Sequence, residues 1–293
     1  MLIGAVDIGS NAMRFLVASA IKYNTEWQFQ RVEYLRYPIR LGEEVFTTGA
    51  ISELKIEKLE RMLFAFKEMF EVFEVVSFKV CATSAMRDAA NGIYIIERIS
   101  KKSKVNIEII SGQTEAGLID RALKQKVGVG LFLHVDVGGG STEINLIKDG
   151  KKLASHSFNI GTVRAIHNKI EPKTWDEMRD WVVSEVRDKK LINPICVGTG
   201  GNIKKLHELS GLPSEFSLPY IRLEQIRDQL KSFSIEQRMH QLKLNEDRAD
   251  VIVPAADIYL NIMQWAGSNE IIAPNIGLID GIIVELFENI NNK

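Results

Sequence analysis

The stretch that decides the fold is HVDVGGGSTEINLI, residues 134–147. It holds an acid at Asp136, glycines at 138, 139 and 140, hydroxyls at Ser141 and Thr142, and a second acid at Glu143. Apolar residues flank it on both sides, so it reads as strand, tight turn, strand. The acids are seven positions apart, which puts them on opposing arms of one hairpin. Glycine lets a ligand approach the backbone closely and opens backbone conformations closed to other residues. Successive amides converging on one point make an anion site. A plain two-residue hairpin turn needs at most two glycines. Carboxylates beside a bound phosphate repel it unless a cation lies between. Mg²⁺ meets that need, because it takes oxygen ligands, keeps several waters and shares carboxylates with substrate phosphates.

The same design occurs at the start of the chain. GAVDIGSNAMRFLV places Asp7 before Gly9, Ser10 and Asn11, again between apolar runs. A repeat at this long period indicates a duplicated domain rather than a solenoid. Strands and helices alternate between the copies. Strands are expected over Leu2–Val6, Met13–Ala18 and Trp27–Tyr34, and from Phe78 and Asn106. Helices are expected after Ser52, after Arg87 and from Gln113. Ser52 is a plausible N-cap, and Leu59, Met62, Leu63, Phe66, Phe70 and Phe73 follow at helical spacing. Beyond the second copy come a strand near Lys151–Phe158, helices near Gly161–Lys169 and Thr174–Lys189, the strand PICVGTG, a helix after Gly200 and a short strand at EIIAP. This is an α/β pattern. The expected domains are residues 1–123 and 124–293, with the joint near Ala122–Gly128. The last helix, from Gly277, is free to return to the first domain.

Composition narrows the function classes. The chain has 293 residues, 45% hydrophobic and 26% charged, with 37 Lys and Arg against 38 Asp and Glu. A balance near zero carries no bulk signal for nucleic acid or an anionic membrane. No apolar run reaches the ~20 residues of a membrane span, and the start does not read as a signal peptide, so a cytoplasmic location is expected. Cys81 and Cys196 are too few and too far apart for a disulfide framework or a zinc site, and both read as buried thiols. Five histidines without an HExxH pair give no zinc signature.

Three further segments hold candidate chemistry. CATSAMRDAAN sets Arg87 just past a strand end, where ligand crevices form in α/β folds. Its guanidinium suits bidentate phosphate binding, and an ordinary helix-surface arginine fits equally. IISGQTEAGLID sets Glu115 in a first helical turn. There it serves either as a carboxylate favoured by the helix dipole or as the base that orients water towards phosphorus. VGTGGNIKKL, from Val197, runs from strand into helix but fails the dinucleotide fingerprint at Ile203.

Taken together and in order, DIGSN, ATSAMRDAAN, ISGQTEA, DVGGGSTE, IGTVR, GTGGN and RADVIVPA resemble the exopolyphosphatase / guanosine pentaphosphate phosphatase family, of the actin, sugar kinase and heat-shock ATPase superfamily. The resemblance spans nearly the whole chain. It implies two ribonuclease-H-like domains with an interdomain cleft, and Mg²⁺-dependent hydrolysis of the terminal phosphate of polyphosphate or the 5′-γ-phosphate of guanosine pentaphosphate. Mn²⁺ is the alternative metal. By resemblance the catalytic glutamate is Glu115, the metal acids are Asp136 and Glu143, and the phosphate is bound by Gly9, Ser10, Asn11, Arg87, Gly138, Gly139, Gly140 and Ser141. Departures are Thr114 where the family often has Glu, Ala12 where Ser is usual, and Ile279 where the closing G-L-R-E-G motif has Arg. Longer members carry a helical extension that provides a dimer surface. The sequence reads as the short form without it, so strong processivity on long chains is not expected, and a homodimer is left open. An acetate- or sugar-type kinase, or a non-catalytic sensor, uses the same fold.

Overall fold

The computed structural model describes residues 1–24, 26–124, 128–188, 191 and 193–291. Part of the expected joint at 122–128, and the expected helix end at Lys189, lie outside the described residues. Two compact units are present, Met1–Ala122 with Leu278–Lys293, and Leu123–Gly277.

The first unit is built on a mixed sheet. β1 (Leu2–Ile8) and β2 (Met13–Tyr23) are antiparallel and flank the DIGSN turn, with Asp7 opposite Arg14. β3 (Glu26–Tyr37) continues the meander. Helices α1 (Leu41–Thr48) and α2 (Glu53–Val72) lead to β4 (Ser77–Ala82), which runs parallel to β1. Then come α3 (Ser84–Asp88), α4 (Gly92–Ser103), β5 (Ile107–Ile109) and α5 (Gly112–Leu123). The strand order is β3-β2-β1-β4-β5. β1 is buried along nearly its whole length, as a strand covered on both faces must be.

Ser52 caps α2 by accepting from the Lys55 amide at 3.5 Å. Ile56, Leu59, Leu63, Phe66 and Phe70 form its buried stripe, while Met62 and Phe73 are half-buried. Phe15 lies 4.8 Å from the Phe66 ring and 4.7 Å from the Phe70 ring. Gly4 makes room for Phe70, since a Cβ there would meet the ring at 2.3 Å. The helix expected after Arg87 is α4, from Gly92, and Arg87 itself lies inside the additional short helix α3. The chain folds back tightly between them, with the Met86 carbonyl oxygen 2.2 Å from where a Gly92 Cβ would be. The closing helix Leu278–Asn291 packs in this unit against β1. Gly281 brings it onto the Leu118 carbonyl, 2.1 Å from the position of an added Cβ. Ion pairs from Arg31 to Asp280 at 2.8 Å and from Lys79 to Glu285 at 2.7 Å hold its outer side.

The second unit repeats the plan. β6 (Leu131–Val137), β7 (Thr142–Lys148) and β8 (Lys151–Phe158) form an antiparallel meander. After α6 (Thr162–Ile166) and α7 (Pro172–Val182), which continues as a π-helical turn to Asp188, β9 (Ile195–Thr199) lies parallel beside β6. α8 (Gly201–Ser210), β10 (Leu218–Pro219), α9 (Tyr220–Ser232), α10 (Ile235–Leu242), α11 (Glu246–Ala249), α12 (Ile252–Ala266) and β11 (Glu270–Ile272) complete it. The strand order is β10-β11-β9-β6-β7-β8. In both units a meander has a parallel strand added beside its first strand. α12 lies at the centre of the core, with Ile252, Ala255, Ala256 and Ile262 wholly enclosed. No helix among the described residues is long and apolar enough to cross a membrane.

Candidate active site

In the second unit the β6–β7 register sets Asp136 directly opposite Glu143. Strand side chains alternate faces, so directly opposed residues share a face. Two acids are therefore side by side on one buried face, Asp136 9% exposed and Glu143 fully enclosed. Asp136 Oδ1 accepts from the Thr199 hydroxyl at 2.7 Å, and Glu143 Oε1 accepts from the Ser157 hydroxyl at 2.7 Å. Adjacent carboxylates in a low-dielectric setting repel unless a cation or proton intervenes. The donor set, two hard oxygen ligands, fits Mg²⁺.

The glycine turn between these acids has a defined polarity. Gly138 O accepts from the Thr162 amide at 3.0 Å, Gly139 O from Val163 at 2.8 Å, and Gly140 O from the Arg164 side chain at 2.6 Å. All three carbonyls thus point at the start of α6. In a trans peptide the next residue's N–H points opposite to the carbonyl. The amides of Gly139, Gly140 and Ser141 are therefore directed away from α6, as an anion cradle requires. The reason for glycine is partly different from the one read in sequence. None of Gly138, Gly139 and Gly140 has a positive φ. An added Cβ at Gly138 would lie 3.1 Å from the Ser141 carbonyl oxygen, and space is tighter at Gly161, in IGTVR, where a Cβ would lie 2.5 Å from backbone atoms of Gly139 and Gly140.

In the first unit the DIGSN turn is anchored from three sides. Ser10 Oγ lies 2.7 Å from Ser84 Oγ and accepts from the Ala85 amide at 3.1 Å. Its carbonyl accepts from Gly42 at 2.8 Å, and the Asn11 carbonyl accepts from Arg40 at 2.9 Å. The hydroxyl of Ser10 thus fastens the turn to α3, and α1, which the sequence reading did not anticipate, backs it. Asp7 is buried and contacts Arg14 at 2.5 Å; burial raises its carboxyl above the usual carboxylate range, against the pull of that guanidinium. Arg87 donates from Nη1 to the Ile110 carbonyl at 2.7 Å, which ties α3 to the segment entering α5. Glu115 lies in the first turn of α5 and is 8% exposed. Ser111 opens that helix, with its hydroxyl 2.9 Å from Thr114 Oγ1 and accepting from the Thr114 amide at 3.1 Å. Gly9–Asn11 and Arg87 thus meet at α3, and Arg87 reaches the strand end that precedes Glu115.

The structure adds residues that the motif reading missed. Thr199 stands in GTGGN, which in sequence looked like a partial nucleotide loop; it binds Asp136 instead. Gly200 has φ 93°, and a Cβ there would lie 3.1 Å from Asp136 Oδ1. Tyr259 donates to the Thr199 carbonyl at 2.8 Å. His134 is fully enclosed, and burial pushes its imidazole down to about 3. The available sequence signal was that His134 lies two residues before Asp136 and so shares its strand face.

Two mixed sheets of the same plan, each flanked by helices, define an α/β protein of the actin-like, ribonuclease-H-like class. Solved structures agree. An exopolyphosphatase from Cytophaga hutchinsonii superposes with a TM-score of 0.84 at 23% identity, covering 99% of this chain and 98% of that one. The Aquifex aeolicus member of the Ppx/GppA family gives 0.80 at 25% identity, covering 100% and 99%. Among relatives, the Fusobacterium nucleatum bifunctional 3-dehydroquinate synthase/phosphatase is 29% identical, with 97% of this chain and 46% of that protein covered. The chain thus spans about half the length of that relative. A putative exopolyphosphatase of Haemophilus influenzae is 25% identical, covering 98% and 92%. The profile of the Ppx/GppA phosphatase family matches residues 20–290, and the chain belongs to that family.

Proposed function

We propose that the chain is a phosphoanhydride hydrolase that removes the terminal phosphate from inorganic polyphosphate. The observation that carries this reading is the glycine turn, whose carbonyls are all committed to α6, so that its amides face outward between two opposed carboxylates. Amides of Gly139, Gly140 and Ser141 bind phosphate oxygens. Amides of Ser10 and Asn11, with Arg87, hold further phosphates of the chain, whereas the Gly9 amide is taken by the Ala12 carbonyl at 3.1 Å. Asp136 and Glu143 would hold Mg²⁺, directly or through water; the ion, when bound, neutralises charge on the transferred phosphoryl group. Glu115 orients the attacking water and takes its proton. Phosphoryl transfer depends mainly on positioning and charge stabilisation, so these parts suffice.

Guanosine pentaphosphate is the alternative substrate of the same site. Ile279 stands where the family motif has arginine and is 3% exposed in the core of the first unit. That position therefore offers no cation to either ligand, and weighs against guanosine pentaphosphate only if the family's arginine there holds the guanosine. Phosphate release should be measured across polyphosphate lengths, guanosine pentaphosphate and ATP, without an acceptor and with Mg²⁺ or Mn²⁺. Glu115→Gln is expected to keep polyphosphate binding and lose hydrolysis by at least ~100-fold, the scale of a positioned general base. Near-normal turnover in Glu115→Gln removes that residue from its role. Absence of acceptor-independent release points to a kinase, and tight binding without release points to a sensor.

A further inference from the structure

A row of polar side chains crosses four neighbouring strands behind Asp136. Ser155 on β8 donates to Asn145 Oδ1 at 2.6 Å. Asn145 Nδ2, on β7, lies 2.9 Å from His134 Nδ1 on β6. His134 Nε2 lies 2.9 Å from Thr199 Oγ1 on β9, and Thr199 donates to Asp136 Oδ1 at 2.7 Å. Registers account for the row, since Asn145 is opposite both His134 and Ser155. Asn145, His134 and Thr199 are fully buried.

Proton counting gives this row one direction. An ionised carboxylate only accepts, and a metal-ligating one must be ionised. The single Thr199 proton therefore goes to Asp136. The Thr199 oxygen then accepts from His134 Nε2–H. A neutral imidazole carries one proton, so Nδ1 is bare and accepts. Asn145 must then present its amide nitrogen to His134, which leaves its carbonyl oxygen for the Ser155 hydroxyl. Every link has one donor and one acceptor. Reversing the row would set lone pairs of Thr199 and Asp136 face to face at 2.7 Å.

We infer that His134 is a positioning residue: by donating to Thr199 it makes that hydroxyl a donor, and so fixes the orientation of the Asp136 carboxylate for its cation. The role assigned to Asp136 rests on the phosphoanhydride hydrolase reading, but the direction of the row does not depend on any turnover. An apolar residue at 134 would free the Thr199 hydroxyl to rotate away from Asp136. Groups that orient metal-ligating side chains typically matter by roughly 10–100-fold in metal affinity or activity.

The first test needs no substrate. Two-bond proton–nitrogen correlation spectra of the ¹⁵N-labelled, metal-free protein at neutral pH should show His134 as the Nε2–H tautomer; an Nδ1–H tautomer overturns the inference. The second test is a rescue series. His134→Leu should lower kcat by roughly 10–100-fold and raise the Mg²⁺ concentration for half-maximal turnover, with KM for polyphosphate little changed. His134→Gln, whose amide nitrogen can donate to Thr199, should recover most of both. Equal impairment of the Gln and Leu variants overturns the inference. Should His134→Leu fail to fold, Thr199→Val against Thr199→Ser replaces it, with loss expected only in the valine variant and equal activity of the two counting against the role. A wild-type protein that releases no phosphate sinks the hydrolase reading, while the tautomer still decides the direction of the row.

Discussion

Replacing His134 by glutamine should change how the second unit responds to acid. The imidazole is fully enclosed, and burial pushes its pKa from 6.5 down to about 3. Between those values the unfolded chain binds a proton that the folded chain excludes. The stability associated with neutral His134 is thus fully present above pH 6.5 and is lost as pH falls below it. The slope is about 1.4 kcal/mol per pH unit. From pH 6.5 to 4.5 this amounts to roughly 2 kcal/mol. Glutamine takes up no proton, so His134→Gln escapes this loss, while every other titrating group acts on both proteins alike. Glutamine also loses ring packing and starts less stable at pH 7.5. The gap should narrow by about 1.4 kcal/mol for each pH unit below 6.5, and can reverse. Urea titrations at several pH values, followed by tryptophan fluorescence, would measure it. Trp175, Trp181 and Trp265 lie in the second unit and Trp27 in the first, so the signal reports mainly on the right unit. A gap that stays constant within about 0.5 kcal/mol from pH 7.5 to 4.5 would refute the reasoning, because a buried neutral histidine must shift the proton balance.

Further outcomes follow from close packing. Gly161→Ala drives a Cβ into the carbonyl side of the 139–140 peptide, and should cut turnover on the order of 100-fold through displacement of the turn; a variant with intact kcat would show that the turn tolerates the shift. Gly281→Ala pushes the closing helix off the Leu118 carbonyl, and should lower the stability of the first unit by about 2 kcal/mol in thermal unfolding. Arg31→Ala removes a bidentate pair with Asp280 whose partners are partly exposed, so after solvent screening the cost should be no more than about 1 kcal/mol in the same assay. Burial pushes the thiols of Cys81 and Cys196 up to about 12, so neither should alkylate in the native protein at pH 8, and both should do so in urea; rapid native labelling of either would contradict its enclosure.

Much of this was legible because it is local. Two acids seven residues apart, with a glycine turn between, have few ways to pair, and the hairpin register sets Asp136 opposite Glu143. The repeat of that hairpin at Asp7 announced a second sheet of the same plan, and the alternation of strands with helices announced the α/β class. The family itself was legible from short motifs in fixed order. α1 was not, since its short apolar set, Leu41, Val45 and Phe46, has meaning only against the turn it backs. The motif assigns Ser10 to a phosphate-binding turn through its backbone, but says nothing of its hydroxyl, which is engaged by Ser84 and Ala85, more than seventy residues away.

Sequence by itself determined the α/β class, the family, and the hairpins on which the acidic pair and the glycine turns are mounted, because strand alternation and turn chemistry act over a few neighbouring residues. Only the tertiary structure decided where the closing helix packs, why Gly161 and Gly200 must lack a side chain, and which hydroxyl holds Asp136. Those outcomes depend on parallel strand pairing and backbone contacts between segments far apart in the chain. Thr199 meets Asp136 only because β9 is laid beside β6, and no spacing within either motif encodes that neighbour.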